Sequence, residues 1–351
     1  MLITSRSYLL LFSGMLIIAF LNNTNNNSAF VQYVEGHNFG LDSFASFIAA
    51  IDQFQIESDL VKSNIINGNY SLAQKHSDEA LTIFSWDLMG KIAIRNKTIA
   101  DELNSDVQNL QDISSSLPTN SNSTISSVES KSESIFIKEQ EGKVSDLVTH
   151  IHTNTEKIAN KAIKQKESEN SNPFNQLTKF FYNIFTGGKG SNINSEQPMR
   201  VVEILDSVLR NYGDAFDVKF DMTDMSNMVM QDNYYPTTNL QNIPFTTSNT
   251  NMDSITVDTI RSVMNNSLVN TADYQNAKWM SEKLLEIFEE NLKPIASKEM
   301  NTDITNLENG LIHLNKSIEN RFSPMYIMSI VHSQIHPNLI KIFDIPSLSN
   351  A

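Results

Sequence analysis

One helical phrase occurs twice in this chain, and the repetition constrains the fold more than any other feature. Residues 68–84 read GNYSLAQKHSDEALTIF, and residues 272–288 read ADYQNAKWMSEKLLEIF. At a constant offset of 204 residues the two phrases share their aromatic and small residues, pairing Tyr70 with Tyr274, Ala73 with Ala277, Ser77 with Ser281 and Phe84 with Phe288. The register continues upstream, at Ile51 with Ile255, and downstream as far as Leu110 with Leu314. The pattern predicts an internal duplication, although amphipathic helices of similar length also align by their period alone.

The segment before the first phrase has a helical pattern with clear ends. Apolar residues follow Phe44 at helical spacing, and Asp42 or Ser43 stands where an N-cap residue is expected. Gly68 closes the pattern, because glycine adopts the left-handed conformation that commonly ends a helix. The sequence therefore predicts a helix, a tight turn at residues 67–69 and a second helix packed back on the first.

Extending this pattern along the chain predicts an all-α fold of two related up-and-down helical bundles. A linker rich in polar residues, predicted to be partly disordered, joins the bundles. We divide the chain into a signal peptide or N-terminal anchor (1–29), a first bundle (30–166) with a low-complexity loop (114–134), a linker with a short amphipathic helix (167–198), and a second bundle (199–346) with an insertion (217–252).

Composition and the N-terminus indicate the compartment. The net charge of −14 opposes nucleic-acid binding, and the lack of cysteine excludes disulfides and thiolate metal sites. The apolar run at residues 8–21 has the length of a signal-peptide core and predicts an extracytoplasmic protein, either secreted or tethered by an uncleaved N-terminal segment. Candidate glycosylation sequons, which also arise by chance in an Asn-rich chain, start at Asn22, Asn26, Asn69, Asn96, Asn122, Asn265 and Asn315.

Two segments of the chain resemble known families. Gly68, Asn69 and Tyr70 begin a segment that resembles a tetratricopeptide hairpin, but tandem copies are absent. Residues 201–288 resemble the extracytoplasmic helical region associated with oxidase-coupled high-affinity iron permeases and its secreted archaeal relatives. The acidic-Tyr-Gln-Asp-Ala turn of that family is matched here except that Asn276 stands in the Asp position. The resemblance implies a secreted helical module that handles metal. It does not imply transport, since the Arg-Glu-x-x-Glu motifs and the membrane helices of the permeases are missing.

Metal-ligating residues occur in two places. The segment DMTDMSNMVMQD (221–232) contains four methionines, Met222, Met225, Met228 and Met230. Their thioether sulfurs are ligands that select Cu(I). Methionine also fills irregular gaps in a core, and that interpretation stays open. His332 and His336 are four residues apart and share one face of a helix, as a metal pair would, although surface or capping histidines have the same spacing. Pro337 predicts a kink or break beside them.

No catalytic motif occurs, and we predict that the protein is not an enzyme. The chain lacks a G-x-S-x-G elbow, and TGGKGS (186–191) lacks the spacing of a phosphate-binding loop. The predicted function is a secreted or cell-surface binding module associated with copper or iron. The cofactor is unknown, with copper as the candidate. The alternative is a structural or protein-interaction component of the cell envelope, with a protein partner at the cell surface.

Overall fold

The computed structural model describes residues 43–118, 129–171, 196–219, 268–343 and 345. These residues form helices and short turns without a strand, so the predicted all-α class is confirmed. The N-terminal apolar run, the short amphipathic helix of the predicted linker and the methionine-rich segment lie outside the described residues. Within the described part of the chain, no helix has the length and apolar character needed to cross a bilayer.

The helices fall into two groups in chain order. The first group is α1 Phe44–Ile66, α2 Tyr70–Ile83, α3 Trp86–Arg95, α4 Lys97–Ser116 and α5 Glu129–Ser171. The second group is α6 Glu196–Ala215, α7 Thr271–Ile287, α8 Asn301–Glu319, α9 Pro324–Ile330 and α10 His336–Phe343. One π-helical turn, Phe288–Leu292, follows α7, and another, Val331–Ile335, joins α9 to α10.

The ends of α1 confirm the predicted signals. The hydroxyl of Ser43 accepts a hydrogen bond from the backbone N–H of Ser46, which satisfies one free donor of the first turn. At the other end Gly68 has a φ of +72°, the left-handed conformation predicted for this position. The turn reverses the chain and sets α2 against α1.

The two groups have separate apolar cores, and α1 contributes to both. Phe47, Phe54 and Val61 of α1 face the first core with residues of α2, α4 and α5. Ile56 and Leu60 face the second core with residues of α6, α7, α8 and α10. Helix α1 therefore lies between the two halves of the molecule and is buried on both sides.

In the second half, α6 packs against α7. In the first half, α1 packs against α2. Val269 and Asn270, just before α7, donate backbone hydrogen bonds to the carbonyl oxygen of Ala215 at the end of α6. The chain therefore returns to the end of α6 before α7 begins, and residues 220–267, which include most of the predicted insertion (217–252), lie outside the described part.

The helix boundaries test part of the repeated register. Helices α2 and α7 end at Ile83 and Ile287, and α4 and α8 begin at Lys97 and Asn301, all at the predicted offset of 204. Upstream, the predicted counterpart of α1 lies largely outside the described residues, and α6 is the helix that packs along α7. The internal duplication therefore stays a prediction.

The predicted low-complexity loop is shorter than its sequence limits. Helix α4 runs to Ser116 and α5 begins at Glu129, so both ends of the segment 114–134 are helical. Residues 119–128 lie outside the described part. Polar composition alone did not show how far each amphipathic helix extends into the segment.

Candidate functional site: an acidic groove between the two halves

A groove of about 600 Å³ lies where the two halves meet. Helix α1 forms its base, α5 forms one wall, and α7 with the following π-helical turn forms the other. Ligand-binding clefts in proteins have about this volume, roughly 300 to 1,000 Å³. The groove exists only in the folded chain, because its walls come from segments far apart in sequence.

The lining of the groove is strongly acidic. Six carboxylate side chains face two basic ones, Arg200 and Lys283, and one histidine, His152. The carboxylates are Asp52, Asp59, Glu156, Glu282, Glu286 and Glu290. Carboxylates concentrated between low-dielectric walls focus a negative potential into a cleft and attract cations.

The bases of the groove are already engaged. Arg200 donates two hydrogen bonds of 2.7 Å to the carboxylate of Asp52, in the bidentate geometry that suits a guanidinium. Lys283 donates to Glu286 over 2.6 Å. These pairs leave the other carboxylates of the groove without a lysine or arginine of their own inside it.

Of the remaining acidic groups, Asp59 lies beside His152 and Glu282 beside Lys278, whereas the other two have no basic partner in the described part of the chain. Glu156 and Glu290 are exposed and form no ion pair within the described residues. Burial raises the pKa of Glu282, against the charge of Lys278 at 3.9 Å, which lowers it. The half-buried Trp279 adds an aromatic ring to the same wall. Carboxylates beside an indole ring are suited to an ammonium group, which gains from both.

Behind the groove, a buried polar network joins the two halves. The imidazole of His76, on α2, is completely buried. Its Nδ1 lies 2.8 Å from a carboxylate oxygen of Glu57 on α1, and its Nε2 lies 2.9 Å from the side-chain oxygen of Gln275 on α7. Gln275 also exchanges hydrogen bonds with Asn64 of α1. Three helices are therefore tied together at one point.

Further polar pairs join α1 to α6. The hydroxyl of Ser46 donates to Glu203 over 2.8 Å, and the amide of Gln53 donates to the hydroxyl of Ser207 over 2.9 Å. Burial raises the pKa of Glu203 to about 7. Burial also raises the pKa of Asp206 to about 6, and one of its carboxylate oxygens is buried without a hydrogen-bond partner.

Of the residues predicted to bind metal, the two histidines are not part of the groove lining. Met222, Met225, Met228 and Met230 are outside the described residues. His332 and His336 do lie side by side, with ring centroids 5.1 Å apart at 71° to each other, and burial lowers the pKa of His332. Among the described residues, no group of three or more His, Asp or Glu side chains is arranged to hold a metal ion. The pair alone offers fewer than the four donors of a structural transition-metal site.

The irregularity predicted beside these histidines is present. The π-helical turn Val331–Ile335 carries His332, and a new α-helix begins at His336. Pro337 is the second residue of α10, directly after this π-helical turn.

Two further histidines lie close together in sequence on α5. His150 and His152, two residues apart on α5, face different neighbours. Nδ1 of His150 lies 2.7 Å from Asp106 on α4, and Nε2 of His152 lies 3.1 Å from Asp59 on α1. The two rings therefore do not face a common point.

Little in the sequence indicated the groove or the buried network. Glu286 and Glu289, with Glu290 adjacent, have the sequence pattern of a solvated helix face or a hard-cation site, and no pattern in the sequence singles out His76. Only the polar residues Gln275 and Asn276 next to the buried Ala277 hinted that α7 buries polar groups on one side. Their partners are on helices more than a hundred residues away.

Comparison of the chain with protein-family models, with curated proteins and with solved structures gives no match. The resemblance to the helical region of iron permeases therefore stays a prediction, and the groove is the feature on which a function is argued.

Proposed function

We propose that this protein is a non-catalytic binding module, secreted or held at the cell surface, that holds an organic cation in the groove between its halves. The observation that carries the proposal is the charge of the groove: six carboxylates line it against two bases, and both bases are paired with carboxylates of the same groove. The net charge of −14 on the whole chain adds long-range attraction for a cation. The extracytoplasmic location rests on the N-terminal apolar run alone.

The size of the groove favours an organic cation over a bare metal ion. A volume of about 600 Å³ is much larger than one ion needs. A hard cation such as Ca²⁺ takes six to eight oxygen ligands at about 2.3 to 2.6 Å, and the described residues contain no such cluster. Trp279 favours an ammonium group, because the face of an indole ring attracts a cation. The ligand chemistry that fits is a flexible chain carrying two or more amines.

Calorimetric titration of the full chain tests the proposal. Spermidine is the probe for a free polyamine, and a lysine-rich peptide is the probe for a basic segment of a protein. We expect binding of at least one probe that weakens as salt is added, because exposed charges are screened. Tighter binding of the peptide would favour the protein-interaction role. Binding of neither probe at low salt overturns the proposal.

Matched variants locate the site. Replacing Glu156 and Glu290 by Gln removes two unpaired charges from the groove, and we expect affinity to fall about tenfold or more, since each lost contact with a cation is worth of order 1 kcal/mol. The control replaces Asp146 by Asn and Glu299 by Gln, which removes the same charge from exposed positions outside the groove. An equal loss in the control would show that only the overall charge matters.

Metal handling is the second candidate function, and the close approach of the His332 and His336 rings favours it. Two imidazoles four residues apart offer nitrogen ligands that suit copper or zinc. The metal content of the purified full chain tests it, compared with a variant carrying His332→Gln and His336→Gln and a variant with Leu at the four methionines. A metal-free native protein that takes up no copper would eliminate this candidate.

A further inference from the structure

The buried network of Glu57, His76 and Gln275 is distinct from the groove lining. Its hydrogen bonds depend on whether His76 and Glu57 share a proton. Both ring nitrogens of His76 face hydrogen-bond acceptors, the carboxylate of Glu57 and the side-chain oxygen of Gln275. The side chains of His76 and Glu57 are 0% and 1% exposed. Neither group has access to water as an alternative partner.

The neighbours of Gln275 determine which of its atoms faces His76. The amide nitrogen of Asn64 donates to the carbonyl oxygen of Leu60, one turn earlier on α1, and to the side-chain oxygen of Gln275. The amide nitrogen of Gln275 in turn donates to the side-chain oxygen of Asn64. Because this exchange places the oxygen of Gln275 toward the imidazole, Nε2 of His76 is an N–H donor.

The pair formed by Glu57 and His76 therefore contains a proton that it does not readily lose. With that proton, the pair is neutral overall, whether it is written as carboxylate with imidazolium or as carboxylic acid with imidazole. Without it, a carboxylate would stay in the interior with no positive partner, which is strongly unfavourable. Burial disfavours the charged imidazole, but the hydrogen bond and the charge of Glu57 outweigh it and raise the pKa of His76.

Two carboxylates from neighbouring helices act on this pair: Asp273, at the start of α7, acts on Glu57, and Glu79 of α2 acts on His76. Lys75 of α2 and Asp214 at the end of α6 act in turn on Asp273. Burial raises the pKa of Asp273 to about 7, and the charges of Glu79 and Asp214 act in the same direction. These carboxylates therefore gain negative charge as the pH rises through neutrality, and Lys75 beside Asp273 offsets part of it.

We infer that the Glu57–His76–Gln275 network is a proton-dependent latch that holds α2 and the start of α7 together and releases them when it loses its proton. The bond from Nε2 of His76 to Gln275 is the contact by which α2 reaches α7 in this network. Deprotonation leaves the negative charge of Glu57 uncompensated beside Asp273 and Glu79, and the helices separate to admit water.

The latch also lies close to the groove. Glu57 is next to Ile56 on α1, and Gln275 is one helical turn before Trp279 on α7, and both of these neighbours line the groove. Opening the latch would loosen the base and one wall of the groove. The inference itself concerns the chain without a ligand, so it stands or fails separately from the proposed function.

Distance measurements between spin labels test the latch. The chain has no cysteine, so Ser71→Cys on α2 and Thr271→Cys at the start of α7, both at exposed positions, can be labelled specifically in the full chain. We expect one narrow distance distribution at pH 6 and a longer, broader one above about pH 8, beyond the ordinary histidine pKa of about 6.5. An unchanged distribution from pH 6 to pH 9 overturns the inference.

Two substitutions at Gln275 move the transition in opposite directions if the latch is real. Gln275→Glu keeps the shape of the side chain and places a negative charge at Nε2, so the transition should move up by about one pH unit or more. Gln275→Leu removes the acceptor and should move it down. A role confined to packing predicts no such opposite shifts, and a transition that stays at the same pH in both variants overturns the inference.

Discussion

Inside each half, the completely buried side chains are almost all aliphatic or aromatic, whereas the seam where α1 and α2 meet α6 and α7 contains buried ion pairs and amides. Leu103 in the first half and Leu307 in the second are examples of the interior, because neither side chain is exposed to solvent. The pair of Asp52 with Arg200 represents the seam. The difference teaches that burial of apolar surface stabilises each half, while paired polar groups fix how the halves meet.

This division has a physical basis. Apolar contacts are non-directional, so many arrangements of two greasy helices have similar energy. A buried charge or amide tolerates only the arrangement in which its partner is in place, because an unpaired polar group in the interior costs several kcal/mol. The seam is therefore expected to respond to pH and salt, and the interiors are expected to respond to changes of volume.

The largest effect should come from the interiors. Leu307→Ala leaves a cavity in a fully buried position, and we expect the free energy of unfolding in urea to fall by about 3 kcal/mol, independent of pH and salt. Leu103→Ala is the matched change at the same register in the first half. A much smaller loss of unfolding free energy at one of the two positions would show that one core is packed less tightly than the other.

Breaking the pair of Asp52 with Arg200 should lower the unfolding free energy nearly as much. Arg200→Met leaves Asp52, whose side chain is 4% exposed, without its guanidinium, and we expect a loss of about 3 kcal/mol in unfolding free energy. Adding Asp52→Leu should recover most of it, because two apolar groups replace the ion pair without leaving a buried charge. If the double variant is as unstable as Arg200→Met alone, the loss does not come from the unpaired charge of Asp52, and the prediction is wrong.

A carboxylate of α6 beside the seam should make stability depend on pH. Because burial raises the pKa of Asp206 to about 6, this group stabilises the fold only when protonated, and that contribution is lost as the pH rises from about 4 through 6. Asp206→Asn should therefore stabilise the protein by about 3 kcal/mol at pH 8 and have little effect near pH 3.5. Urea unfolding at both pH values measures it, and an equal change at both would contradict the assignment.

The smallest effect should come from an exposed pair outside both regions. Lys97 and Asp101 lie 2.6 Å apart with most of their side chains in water. We expect Lys97→Ala to change the unfolding free energy by less than about 0.5 kcal/mol, and less still in high salt. A loss comparable to that of Arg200→Met would mean that burial is not what distinguishes the seam pair.

Local features of the sequence predicted much of the fold. Ser43 and Gly68 limited α1 because capping and left-handed turns are decided by neighbouring residues. The matched ends of α2 and α7 were likewise visible in the repeated phrase. The limits of α4 and α5 were less clear, since polar residues at the end of a helix resemble those of a loop.

The candidate site was not predictable in the same way. The histidines chosen from the sequence were those with metal-like spacing, His332 and His336, and they do lie together. His76 has no such spacing, and its partners Glu57 and Gln275 come from other helices. The acidic residues that line the groove each resemble ordinary surface residues until α1, α5 and α7 are assembled.

The sequence by itself determined the helices, their caps and their apolar faces, because these depend on residues within one or two turns of each other. Only the tertiary structure decided that α1 is shared by two cores, that α6 packs along α7, and that the carboxylates converge on one groove. The reason is that such contacts are set by the mutual fit of distant surfaces, and periodicity along the chain carries no information about which surfaces meet.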